Sequence, residues 1–286
     1  MRIAFATCSA LPDGDADDRL AAHRLGAVFE VWNDRGVDWE AYDRVVLRST
    51  WDYTLHLDAF MAWCASVGPA RLRNEPDLVA FNADKRYLAD LPVATVPTTF
   101  VVAGGARPDL HGEVVVKPSV GAGARKTGRF GPATHHEALE LIDRIAASGC
   151  AAMVQPYLTG VDTRGENAIV FLGGELSHVV CKRAVLRPDE IAPIDTESGL
   201  GEALVMLDED LVVAGQADAA EVALAEDLVA HVAARFGGPP LYARVDVVRD
   251  ADDVPFLLEL ELIEPSLYLG LAEGATERFA AAVRAG

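Results

Sequence analysis

The sequence predicts an α/β fold that opens on a parallel sheet. Three observations carry this. Over the first 70 residues, short apolar runs alternate with segments of helical period, the pattern of strand–helix–strand units. Hydrophobic residues make up 51% and charged residues 24% of the 286, which is apolar enough to build cores and argues against disorder. No apolar run approaches the ~20 residues that span a bilayer. At roughly 100–200 residues per domain, the length allows two domains, or one large one with subdomains.

Residues 2–7 read as a strand, 17–26 as a helix, 27–32 as a second strand and 44–48 (RVVLR) as a third. Residues 57–67 place apolar side chains at helical spacing. Trp32, Trp39, Trp51 and Trp63 all fall in this opening. Residues 72–76 (LRNEP) read as a loop into a second unit. A short helix over 82–91 carries Lys85, Pro92 and Pro97 interrupt the chain, and 98–103 reads as a strand. Residues 113–117 (EVVVK) form a strand ended by Pro118, and a glycine-rich stretch follows over 119–131. A helix at 136–148 and a strand at 152–158 come next. The runs 167–172 and 175–183 flank Gly173-Gly174, a hairpin signature because adjacent glycines accept positive φ. A long helix over 219–236 stops at Gly237-Gly238. Two last strands, 241–249 and 255–263, are joined by the polar turn 250–253.

Net charge narrows the function. At −19, with a pI near 4.7, the chain lacks the basic face of a general nucleic-acid binder. The start, MRIAFATCSA, has no apolar core long enough for a signal peptide, so a cytoplasmic location is expected. Cys8, Cys64, Cys150 and Cys181 are scattered, without CxxC or His at zinc spacing, and read as buried thiols. From residue 188 onward acids far outnumber bases, whereas residues 112–184 hold eight Lys or Arg against seven Asp or Glu. A ligand that needs positive charge belongs in that middle. Only four of the 25 basic residues are lysine: Lys85, Lys117, Lys126 and Lys182. Lysine is a compact point charge suited to a single phosphate oxygen.

Two constellations can carry chemistry. The glycine-rich stretch is neither a dinucleotide fingerprint nor a Walker loop, since Lys126-Thr127 lacks the preceding glycine. Such a loop can wrap phosphates with backbone N–H groups, or be an ordinary mobile hairpin tip. In the last two strands, Arg244 and Asp246 share one face, as do Glu259 and Glu261, with Val245, Val247, Leu258, Leu260 and Leu262 at the alternate positions. Three carboxylates on neighbouring strands repel unless a cation sits between them. Hard oxygen ligands suit Mg²⁺ bridging phosphates. A solvated acidic face with Arg244 in a plain ion pair is the alternative.

The order Lys85, VVKPS with Lys117, the glycine-rich loop, MVQPYL, GENAIVF, CKR, YARVD and LLELELIEP resembles the ATP-grasp superfamily of carboxylate–amine ligases over most of residues 82–286. The resemblance implies an N-terminal parallel-sheet (pre-ATP-grasp) domain over 1–80 on the substrate side. A central and first ATP-grasp lobe over 81–185 and a second lobe over 186–286 follow. It implies ATP and Mg²⁺, two ions, with Mn²⁺ as a substitute. Lys85 and Lys117 would hold the α- and β-phosphates, and the loop with Ser119, Gly121 and Gly123 would close over the triphosphate. Gln155, Tyr157 and Leu158 would form the hinge against adenine, with Glu166 near the ribose. Lys182 would face the phosphates or the base. Arg244 would meet the γ-phosphate and the acyl phosphate, and these two are the expected catalytic groups. Asp246, Glu259 and Glu261 would hold the metal. The superfamily usually ends E-x-N, where this chain has Glu261, and Glu264-Pro265 stands in for Pro-Gly. Whether Glu261 or Glu264 is a ligand stays open.

The segments TCSALPDGDADD, LRSTWDY, DKRYL and GGELSHVVCKRA resemble a narrower branch that includes ligases forming D-cycloserine from O-ureido-D-serine. This implies Asp17, Arg48, Ser49, Trp51 and Asp52 near an amino-acid-like substrate. Core packing for Trp51 and a helix N-terminal acid for Asp17 are equally good readings. The expected reaction is carboxylate activation through an acyl phosphate, then attack by a nitrogen of the same molecule, with loss of CO₂, ammonia, ADP and phosphate. An intermolecular amino-acid or peptide ligase is the alternative, and a non-catalytic nucleotide-binding protein is one of another class. Neither nucleic acid nor membrane is an expected partner; a homodimer is the alternative to a monomer.

Overall fold

The computed structural model describes residues 1–191 and 211–286, so part of the acid-rich stretch beginning at residue 188 lies outside the described residues. The first unit is a parallel sheet. Strands β1 (Ile3–Thr7), β2 (Val28–Val31), β3 (Arg44–Leu47) and β4 (Leu72–Arg73) lie in the order β2-β1-β3-β4. Helix α1 (Ala16–Leu25) is capped by the Asp15 side chain at one end and by left-handed Gly26 at the other. Helix α2 (Leu57–Val67) buries Phe60, Cys64 and Val67. They meet Trp32, Tyr42 and Tyr53 in an aromatic core over the β1 and β3 residues Ala4, Ala6, Val45 and Leu47.

Two corrections arise at the exit of this unit. Residues 72–73, expected as loop, form β4, because fully buried Leu72 extends the sheet beside Val45. The helix expected over 82–91 is split. Helix α3 (Pro76–Asn82) starts on Pro76, and extended Asp84 then breaks it, its side chain capping a 3₁₀ segment over Lys85–Asp90. Pro76 at the first helical position was the missed signal.

The second unit is a four-stranded antiparallel sheet. Strands β5 (Thr99–Val101), β6 (Val114–Pro118), β7 (Gly128–Phe130) and β8 (Ala152–Pro156) lie in the order β5-β8-β6-β7, with α4 (His135–Ala147) packed on one face. The glycine-rich stretch is therefore not all loop. Its end pairs with β6 through Val116↔Gly128, where a Cβ on Gly128 would lie 2.6 Å from the Phe130 ring.

The short helix α5 (Gly160–Arg164) leads to a five-stranded antiparallel sheet. It comprises β9 (Glu166–Leu172), β10 (Glu175–Lys182), β11 (Val212–Ala214), β12 (Tyr242–Arg249) and β13 (Pro255–Glu261), ordered β11-β10-β9-β12-β13. Helix α6 (Ala219–Phe236), with a full capping box on Asp218 and Glu221, packs Ala225, Leu228, Val229 and Val232 against it. Helix α7 (Ala275–Ala285) returns to the first sheet, where Phe279 and Val283 meet Ile3 and Phe5. No described helix is long and apolar enough to cross a membrane.

β13 is an edge strand, and its free backbone groups are taken by side chains from the exit of the first unit. Asn82 donates to Leu260 O at 2.8 Å and accepts from Leu262 N at 2.8 Å. The Tyr87 hydroxyl donates to Leu260 O at 2.7 Å and accepts from Leu260 N at 2.9 Å. Asn74 adds a bond to Leu262 O at 2.7 Å. An edge pinned this way cannot slip register, and its register decides where Glu259 and Glu261 point.

Candidate active site

The two antiparallel sheets face each other across a cleft of about 340 Å³. Antiparallel register puts Arg244 opposite Glu261 and Asp246 opposite Glu259, and the hairpin puts Lys182 opposite Glu166. A bulge between Asp246 and Val247 modifies the expected alternation. Leu257 and Leu260 enter the core, while Leu258 turns with Glu259 toward the cleft.

The charges form an alternating lattice. Arg244 grips Asp246 with two bonds, Nε to Oδ1 and Nη2 to Oδ2, each 2.9 Å, and also donates to Glu261. Lys182 Nζ lies 2.7 Å from Asp246 Oδ2 and pairs with Glu166. Lys85 Nζ lies 3.1 Å from Glu259 Oε1, and Lys117 Nζ, from the opposite sheet, 3.5 Å from Glu259 Oε2. Three lysines reach these acids beside Arg244. Four cations thus stand against Glu166, Asp246, Glu259 and Glu261.

Burial pushes every one of these carboxylates up, and the neighbouring cations decide the outcome. Arg244 and Lys182 overcome burial at Asp246 and hold it well below the usual carboxylate range. Lys85 and Lys117 do the same, less strongly, at Glu259. At Glu261 burial prevails over Arg244, and the pKa is raised. Glu166 is pushed up to about 7 by burial despite Lys182. Burial, with Glu261 nearby, carries Glu264 to about 8.

The structure brings most of the expected residues together. Lys85, Lys117, Gly121, Gly123, Gln155 and Tyr157 line the cleft, with Leu158, Glu166, Lys182 and the four charged groups of β12 and β13. Apolar wall comes from Val115, Leu158, Val248 and Leu258. Lys85 also donates to Gly121 O at 2.7 Å, tying the loop to the lattice. Ser119 does not line the cleft; it is fully buried, and its carbonyl accepts from Lys85 N at 2.8 Å. Gln155 is buried and donates to Thr98 Oγ1 at 2.8 Å.

Of the five residues expected near the substrate, Trp51 alone lines the cleft. Arg48 and Ser49 are sealed inside the first unit around Asp18: Arg48 Nε donates to Oδ1 at 2.7 Å and Ser49 Oγ to Oδ2 at 2.6 Å. Asp52 is buried as the acceptor of the Trp32 indole N–H at 2.7 Å. Asp17 Oδ1 accepts from Gly270 N at 3.0 Å. The structure places these four outside the cleft lining.

Arg125 was not among the expected site residues, and Glu264 was left open as a metal ligand; both line the cleft. Arg125, in the glycine-rich loop, crosses to the first unit and donates to Trp51 O and Thr54 Oγ1, each at 2.7 Å. Its neighbour Lys126 does not line the cleft. Glu264 lines it from the segment after β13. The departure of Glu264 from the usual Pro-Gly was the available signal; Arg125 had none beside Lys126.

Comparison with known proteins follows this geometry. Over 282 residues the chain is 36% identical to the cycloserine biosynthesis protein DcsG of Streptomyces lavendulae, covering 92% of this chain and 90% of that one. The chain belongs to the DcsG family. Residues 3–74 match the family described as D-cycloserine synthetase DcsG, N-terminal domain. The crystal structure of D-cycloserine synthetase DcsG superposes with a TM-score of 0.83 at 34% identity, covering 99% of this chain and 98% of that one. Structures of D-alanine–D-alanine ligase from Bacillus anthracis, one of them complexed with ATP, share the fold at 13% identity. Their TM-scores are 0.63 and 0.59, and they cover 99% of this chain and 96% of theirs. The DcsG-family chain is thus an ATP-grasp ligase by family and by fold, as its motif order implied.

Proposed function

We propose that the chain closes D-cycloserine from O-ureido-D-serine at the expense of ATP, with the reaction run in the charged cleft. The observation that carries this reading is the lattice itself. Each cation that could hold a phosphate now rests on an acid that could hold a metal. Lys85 and Lys117 share Glu259; Lys182 and Arg244 share Asp246. A nucleotide entering with its metal gives the cations new anions and the acids a new cation. The desolvation cost of these buried groups is met in both states, because neither leaves a charge unpaired.

The donor chemistry fits the metal. Asp246, Glu259 and Glu261 offer hard carboxylate oxygens, and among the described residues no three acids or histidines converge tightly enough to hold an ion alone. Mg²⁺ rarely uses an all-protein cage; one or two carboxylates plus substrate phosphates are its usual set. Bound there, two ions would neutralise the charge spread over the transferring phosphoryl group. Lys85 and Lys117 would orient the phosphates, with the loop at Gly121–Gly123 over them, while Leu158, Val115 and Leu258 would hold the base. Arg244 would steady the substrate carboxylate as it takes the γ-phosphoryl group. Displacement of phosphate by the urea nitrogen that is bonded to oxygen closes the ring. Loss of the carbamoyl group as CO₂ and ammonia, with one water consumed overall, balances the reaction. Attack within one molecule spares the site the positioning of a second substrate. We further propose residues 1–80 as the substrate-side unit and two lobes beyond it; the expected division at 185/186 moves to the segment between β8 and β9, because β9 and β10 pair within the five-stranded sheet.

Phosphate release with MgATP and O-ureido-D-serine, set against a panel of amino acids and amine acceptors, tests this reading. One D-cycloserine per phosphate is expected. Phosphate released only with a separate amine acceptor would favour an intermolecular ligase, and none with any substrate would favour a nucleotide-binding protein.

A further inference from the structure

Beyond the lattice the cleft runs toward the first unit, and there two of its lining side chains each hold one buried atom without a hydrogen-bond partner among the described residues. Glu264 is 9% exposed, and its Oε2 is buried with no hydrogen-bond partner among the described residues. Arg125 uses Nη2 on Trp51 O and Thr54 Oγ1 and Nε on Ala122 O, yet its Nη1 is buried and equally unpartnered. Trp51 ties the two together: its carbonyl accepts from Arg125, and its indole N–H donates to the Glu264 carbonyl at 3.2 Å. Arg48 fixes the same segment by donating to Pro265 O at 2.8 Å. All of Trp51, Arg125 and Glu264 line the cleft. Buried polar atoms are normally paired, so two orphans held beside one tryptophan, neither satisfying the other, point to a ligand.

Their chemistry says which kind. An ammonium would satisfy Glu264 and be repelled by Arg125. A carboxylate would satisfy Arg125 but carries no N–H for Glu264 Oε2 to accept. A neutral group carrying a carbonyl oxygen beside N–H donors satisfies both at once. We propose that Arg125 and Glu264 form the subsite for a urea tail on the substrate, whose carbonyl accepts from Arg125 Nη1 and whose N–H groups donate to Glu264 Oε2. This rests on the ligase reading above and extends it to specificity. Burial, which carries Glu264 to about 8, leaves it largely uncharged at neutral pH and further disfavours a cationic partner.

Calorimetry in the presence of Mg²⁺ and a non-hydrolysable ATP analogue, comparing O-ureido-D-serine with D-serine, tests the subsite. Glu264→Met should weaken O-ureido-D-serine about tenfold or more, while Glu264→Gln, which keeps an acceptor oxygen, stays within about threefold. D-Serine, which lacks the tail, should bind all three proteins alike, and so should the nucleotide analogue, which also reports that each variant is folded. Arg125→Met gives an independent reading of the same subsite, with the same selective loss for the tailed compound. Unchanged tail binding in Glu264→Met overturns the proposal. A Gln variant as weak as Met overturns it too, because the partner would then be a cation, and loss of analogue affinity overturns it in favour of a metal ligand. Wild-type protein that binds the tail in this pattern without forming D-cycloserine keeps the subsite and defeats the ligase reading. D-Cycloserine formation together with normal tail binding by Glu264→Met does the reverse, and wild type that neither binds nor turns over defeats both.

Discussion

Two buried ion networks in this molecule use the same chemistry to different ends. In the first unit, Arg48 and Asp18 are sealed, at 2% and 4% side-chain exposure, with Ser49 and the Pro265 carbonyl as further partners and Arg48 Nη1 buried without one among the described residues. In the cleft, Lys182, Arg244 and Asp246 are nearly as buried, yet they line an opening. A sealed pair can only hold; a pair at an opening can trade partners. The contrast separates Arg48 and Ser49, which the structure keeps out of the cleft, from the acids of β12 and β13, which line it.

The sharpest break of the comparison comes from neutralising an acid of the cleft network. Asp246→Asn and Glu259→Gln should each lower kcat about a thousandfold or more, roughly 4 kcal/mol of barrier, with little change in melting temperature. Steady-state rates at saturating Mg²⁺ check this, and a near wild-type rate in either variant removes that residue from the metal site. Next in size, Arg48→Met strands Asp18 in the core and should cost about 3–5 kcal/mol of folding stability, measured by urea unfolding. The folded fraction should keep its affinity for O-ureido-D-serine; a raised KM at unchanged stability would put Arg48 back in the substrate site.

A smaller test divides two lysines of one segment. Lys117 leaves β6 into the cleft and faces Glu259, whereas Lys126 lies outside the lining. Lys117→Ala should lose about 2–5 kcal/mol of MgATP affinity. Lys126→Ala should lose under about 1 kcal/mol. Nucleotide-binding calorimetry decides it, and equal small losses would remove Lys117 from the phosphate site.

The smallest effect is one of slope. Glu264 is raised from 4.5 to about 8 in the fold by burial and Glu261. Between those values the folded form keeps a proton that the unfolded chain has released. Its contribution to stability is therefore full below about pH 4.5 and is lost as pH rises toward 8. Thermal melts of ligand-free protein across that window should fall more steeply in wild type than in Glu264→Gln. Parallel curves would show that Glu264 ionises normally.

What was legible follows the same division. The first unit reads well from sequence because its first three strands and its helices at 16–25 and 57–67 announce themselves by local period and caps, whereas the two-residue β4 does not. The lattice was legible as a set of residue types on strands two apart, but its pairing was not. That Lys117 and Lys85 converge on Glu259 depends on two sheets closing over 140 residues of chain, which no local pattern encodes. The bulge at Leu258 and the pinning of β13 by Asn74, Asn82 and Tyr87 were hidden for the same reason. Motif likeness pointed to Arg48, Ser49, Asp52 and Ser119 beside Trp51 and Lys117, and burial, which a short string does not encode, sets the first four behind the cleft wall.

The exchange of partners is the central claim, and a crystal structure with Mg²⁺ and a non-hydrolysable ATP analogue tests it directly. The account predicts that Lys85 and Lys117 leave Glu259 for the phosphates and that Glu259 and Asp246 turn to metal, while Arg48 stays at about 2.7 Å from Asp18. A bound nucleotide with the Lys85–Glu259 and Lys182–Asp246 pairs intact would contradict it.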